Sequence, residues 1–100
     1  MNINRVLWSC TEDALYSLGR STMHTVVWQI NKMDVDTTPD NFDIQRFAIA
    51  LQNLFGEGSE TILNLIYKNL CEQLQVKAEL DQAPAIERIN KVLEARKMNH

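Results

Sequence analysis

Asp34, Asp36, Thr38 and Asp40, spaced by two, have the donor pattern of the first half of a calcium loop. Calcium takes hard oxygen ligands, and alternate residues of such a loop turn theirs inward. The pattern fails where the geometry is strict. Position six, which needs Gly for the sharp turn, is Pro39, and position twelve, which needs a bidentate Glu, is Gln45. Acidic residues at a helix start serve its dipole equally well, so no metal is expected here.

Gly56-Glu57-Gly58-Ser59 precedes a helical pattern and so invites comparison with a phosphate loop. It lacks the Gly-Lys-Ser/Thr run, and Glu57 and Glu60 would repel an anion at that helix end. Cys10 and His24 pair on paper as nucleophile and base, but no local signature accompanies them, and the other histidine, His100, is terminal. The carboxylates have no spacing that would drive two pKa values apart. Cys10 and Cys71 lie among apolar neighbours, 61 positions apart and without Cys-x-x-Cys spacing, so both are expected to pack as small hydrophobes in a reducing cytoplasm. These readings leave no catalytic residue, no cofactor and no evident small-molecule substrate. The expected protein is not an enzyme.

Such residues need elements to position them, and the chain specifies helices. It has 100 residues, 45% hydrophobic and 23% charged, with three Gly and two Pro. That length fits a single domain, 1–100, and so few turn formers favour long regular elements. No apolar run approaches the length of a membrane span. The net charge of −3 gives no sign of a polyanion partner. Its distribution is uneven: Asp34, Asp36, Asp40, Asp43, Glu57 and Glu60 face Arg46 alone, whereas Arg88, Lys91, Arg96 and Lys97 cluster near the C-terminus with Glu87 and Glu94. Two solvated surfaces of opposite sign account for this, and head-to-tail association is the sharper alternative.

The periodicity predicts about five helices. Ile3, Val6 and Leu7 have helical spacing. Ser9-Cys10-Thr11-Glu12 matches a capping box, opening a short helix to about Leu18 with Ala14, Leu15 and Leu18 on one face and Gly19 as its stop. Ser21 or Thr22 caps a second helix with Met23, Val26, Val27 and Ile30 buried. Thr38-Pro39 starts a third, running about 39–55, and a fourth runs about 59–75. Gly56 and Gly58 between them make a short turn, so the pair forms a central αα-hairpin. The fourth carries the widest apolar stripe, from Ile62 to Leu74, and is expected at the centre. Pro84 falls in the first turn of the last helix, whose Ile86, Ile89, Val92 and Leu93 form a narrow seam.

The hairpin also has the outline of a helix-turn-helix whose second helix would present Glu60, Thr61, Asn64, Lys68 and Asn69. One lysine makes a poor set of phosphate contacts.

Three segments together carry a family likeness: Asp13-Ala14-Leu15-Tyr16-Ser17-Leu18-Gly19, Thr38-Pro39-Asp40-Asn41-Phe42 and Leu54-Phe55-Gly56-Glu57-Gly58. Their order and spacing resemble a small archaeal family of signal-output domains, the Nitrosopumilus output domain type, with Ile86 to Leu93 in the place of its last helix. The resemblance covers nearly the whole chain and rests on helix stops and core positions. It implies an all-helical regulatory domain, found alone or behind receiver-type modules, with no assigned catalytic residues.

The expected function is therefore protein interaction, most simply pairing with a second copy as a homo-dimer. Trp8, Trp28, Ile86, Ile89 and Leu93 are the candidate interface. A nucleic-acid-binding regulator using the basic C-terminal helix is the alternative, and an enzyme or small-ligand carrier with a pocket between helices is the third reading.

Overall fold

The computed structural model describes residues 2–78 and 82–98. They form an all-α bundle: α1 (Ile3–Tyr16), α2 (Arg20–Lys32), α3 (Ile44–Phe55), a 3₁₀ turn over Gly56–Gly58, α4 (Ser59–Leu74) and α5 (Ala85–Met98), with no strand among the described residues. His100 lies outside them.

The first helix is longer than the capping-box reading suggests. Asn2 accepts from the Asn4 amide at 3.0 Å and caps a helix that runs unbroken through Ser9 and Glu12. Leu7, Cys10, Thr11, Ala14 and Leu15 are all buried, so one continuous apolar stripe overrides the polar tetrad. Thr11, the polar member of that stripe, donates its hydroxyl to the Leu7 carbonyl at 2.8 Å. The helix ends at Tyr16, which leaves Leu18 outside it and exposed rather than on the buried face. Gly19 makes the turn at φ 108°, in a region that side chains avoid, and it is Gly19 rather than Ser21 or Thr22 that sits at the cap of α2.

The third helix starts five residues later than Pro39 suggests. Asp43 accepts from the Gln45 and Arg46 amides at 2.9 and 3.4 Å and is the true N-cap. Phe42, just before the cap, meets Phe47 four residues after it, with centroids 5.4 Å apart, which is a hydrophobic staple. Trp8 of α1 joins the same stack, 5.2 Å from Phe42. Helix from residue 39 onward would turn Phe42 away from this cluster. Instead residues 38–41 form a turn closed by the Asn41 amide donating to Thr38 at 3.1 Å.

Gly56 ends α3 at φ 55° and ψ −128°, a combination open essentially to glycine alone, and its N–H caps Gln52. Gly58 is ordinary helical backbone at φ −62°, so the turn depends on Gly56 and not on Gly58. The resulting hairpin places α4 in the middle, covered by α1, α3 and α5, with Leu63, Ile66 and Leu70 fully buried.

Helices α2 and α4 end alike, and neither uses glycine. Asp34 (φ 62°) and Gln75 (φ 56°) take the left-handed position. The following valines donate back across the turn, Val35 to Ile30 at 3.3 Å and Val76 to Cys71 at 3.0 Å. Both are Schellman closures.

The last helix runs parallel to α4. The Glu60 carboxylate accepts the Ala85 amide at 2.5 Å, and further along Arg88 reaches Asn64 and lies 4.8 Å above the Tyr67 ring. The start of α5 therefore lies beside the start of α4, and α5 runs antiparallel to α3. Pro84 stays just outside α5, its carbonyl accepting from Glu87 and Arg88.

Candidate functional site

None of the short motifs becomes a site. Asp36 binds the amide and hydroxyl of Thr38, both at 2.7 Å, and these bonds hold its carboxyl below the usual range. Asp40 turns the other way, to Arg5 Nε at 2.7 Å, and is likewise lowered. With Asp43 capping α3, these oxygens do not converge, and no group of three potential metal ligands occurs among the described residues. Glu60, at the start of α4, is engaged by α5. Asp36, Asp40, Asp43 and Glu60 each accept a hydrogen bond within the chain, and Asp40 is paired with Arg5.

Cys10 is fully buried, and burial pushes its thiol up to about 11, with Asp13 and Cys71 adding like-charge cost. Nucleophilic thiols need the opposite shift. His24 stands exposed on α2. The helix-turn-helix reading also fails. Asn64 and Asn69 of its reader helix bond Arg88 and the Cys10 carbonyl, and α1, α3 and α5 cover that helix.

The five candidate interface residues separate. Ile89 is fully buried and serves the monomer's own core, so it has nothing to offer a partner. Trp8 is half-buried and braced on Phe42. Trp28 is 55% exposed on the outer face of α2, with the Lys32 ammonium 4.0 Å from its ring centroid. Ile86 and Leu93 are half-buried on α5.

These last two belong to a seam with a member that the sequence reading missed. Gln45 of α3 and Asn90 of α5 exchange side-chain amide bonds. Ile86 lies one turn before Asn90, and Leu93 three residues after it. Ile49 lies one turn after Gln45, and it is 61% exposed. Because α3 and α5 run antiparallel, Ile49 and Ile86 fall on the same side of the amide pair. The signal for Ile49 was present: it sits off the stripe of Phe47, Ala48 and Leu51 and is the one large apolar residue on its side of α3.

A second feature lies on the other flank of α5. A cleft of about 390 Å³ opens between the C-terminal half of α4, the residues just after it and α5. Tyr67, Leu74, Val76, Val92 and Ala95 supply its apolar surface, and Lys77, Arg88, Lys91 and Arg96 its charge. On α5 those residues fall at i, i+3, i+4, i+7 and i+8, a single helical face. Arg88, Lys91 and Arg96 thus fall along one groove, with Lys91 and Arg96 still exposed to solvent. Lys77, three residues past the end of α4, lines the groove with them.

Comparison with models of known protein families, with curated proteins and with solved structures finds no match to this chain.

Proposed function

We propose that this chain is a non-enzymatic regulatory domain that works by protein interaction, and that its simplest partner is a second copy of itself. The observation that carries this is the seam of Ile49, Ile86 and Leu93 along α3 and α5, an apolar strip with an amide pair at its centre. Such a strip is self-complementary under a two-fold axis, the commonest symmetry of small oligomers. The resemblance to signal-output domains favours the same class of function.

Sedimentation across low to high micromolar concentration tests the reading. The expected result is a monomer–dimer equilibrium that Ile49→Glu shifts to monomer without loss of helical signal. A monomer at several hundred micromolar refutes it.

Nucleic-acid binding through α5 is the second reading, favoured by the gathering of Lys77 with Lys91 and Arg96. Contacts to phosphate lose affinity steeply with added salt. Absence of a gel shift at low salt removes this reading.

A further inference from the structure

We propose that the solvent face of α2 is a docking surface for an acidic segment of another protein, one that carries an apolar side chain between its carboxylates. Trp28 marks the centre of that face. It is 55% exposed and stands two residues from the fully buried Ile30, about 200° away around the helix and so almost opposite the core. Arg20, Ser21, His24, Thr25, Asn31 and Lys32 share the face, and all are exposed. No acidic residue occurs in α2, and its two full charges, Arg20 and Lys32, are cations at opposite ends of the helix. Neither is ion-paired, and the side chains of Arg20 and His24 have no hydrogen-bond partner among the described residues.

Charge and aromatic character together select the occupant. The Lys32 ammonium lies 4.0 Å from the Trp28 ring centroid, so a cation and a broad apolar plane are offered at one spot. A carboxylate meeting Lys32 brings the neighbouring side chain of its own segment onto the indole. Tryptophan and arginine are among the residues that most often carry the binding energy of protein interfaces. From Arg20 to Lys32 the helix rises about 18 Å, which an extended segment spans in about six residues. A second copy of this chain is a poorer occupant. Its acids meeting α2 would make a head-to-tail contact, which closes only as a ring and otherwise grows without limit. Single-stranded nucleic acid is poorer still, since two full cations neutralise few phosphates and Lys32 already covers one side of the ring. Because α2 packs chiefly on α1 and contributes no residue to the seam of α3 and α5, the proposal stands apart from pairing.

Titration of the full chain with a blocked peptide of glutamates around a central Leu-Phe pair, followed by amide and indole NMR, tests this. The expected result is saturable binding of one peptide per chain, with shifts confined to α2 and the Trp28 indole and an affinity that falls as salt is added. The lysine counterpart of the peptide should not bind, and a peptide lacking the apolar pair should bind at least fivefold more weakly. Trp28→Ala and the double variant Arg20→Glu, Lys32→Glu should each lower affinity at least tenfold. Their thermal midpoints should stay near that of the parent, because all three side chains are exposed. Ile49→Glu should bind like the parent, which separates the result from dimerisation. Absence of saturable binding, shifts outside α2, tighter binding of an oligothymidylate than of the peptide, or α2 shifts that appear on concentrating the chain alone would overturn the proposal.

Discussion

Replacing Asp34 and Gln75 by glycine should stabilise the fold, although neither substitution adds a contact. Both residues hold the left-handed conformation that closes α2 and α4, at φ 62° and 56°. For a residue with a Cβ that conformation costs roughly 1–2 kcal/mol. Glycine removes the cost but gives the unfolded chain more freedom, which takes back about 0.4–1 kcal/mol. The net gain is on the order of 0.5–1 kcal/mol at each site. The two positions close different helices and share no hydrogen-bond partner, so the gains should add to about 1–2 kcal/mol. In a domain of this size each kcal/mol moves the thermal midpoint by about 4–8 °C. Urea unfolding followed by helical circular dichroism is the assay. The midpoint should rise in Asp34→Gly, in Gln75→Gly and most in the double variant, with unchanged slope. A fall in both single variants would mean that side-chain interactions at these turns outweigh backbone strain, and would refute the reasoning.

Two further outcomes concern pH. Asp36 and Asp40 have folded pKa values below their ordinary 3.8, through bonds from Thr38 and Arg5 respectively. Their contribution is present above that value and lost as pH falls below it through the folded values, so Asp40→Asn should flatten the acid limb of the stability–pH curve. Cys10 is the opposite case. Its folded value of about 11 exceeds the ordinary 9.0, so the native state holds the proton where the unfolded chain has released it. Stability should decline as pH rises from about 9 toward 11, and Cys10→Ala should lessen that decline.

The helical class, the hairpin and the central place of α4 were legible because each rests on local periodicity or on glycine at a turn. The errors fell where tertiary contacts chose between local options. Pro39 is a good helix starter, but Phe42 had to reach Trp8 and Phe47, and that handed the cap to Asp43. Asp34 and Gln75 gave no glycine to announce their turns, and only the valine after each hinted at a Schellman closure. The direction of α5 was invisible, since a connector of that length permits either sense. Both candidate sites depend on that direction, which brings Asn90 to Gln45 on one flank and Arg96 beside Lys77 on the other. Ile89 was misplaced for the same reason: an apolar helix face tells of burial, not of what buries it.

The most extensive helix contact joins α1 to α4, the first element to the fourth, with Asn69 of α4 bonding the Cys10 carbonyl at 3.0 Å. During synthesis α1 therefore leaves the ribosome long before the surface it needs exists. Until α4 follows, Leu7, Cys10 and Leu15 lack the helix that α1 contacts most, and chains closed by such distant pairings fold more slowly than their helical content suggests. A nascent chain halted ahead of residue 59 should remain a chaperone client, and release should come with the arrival of α4.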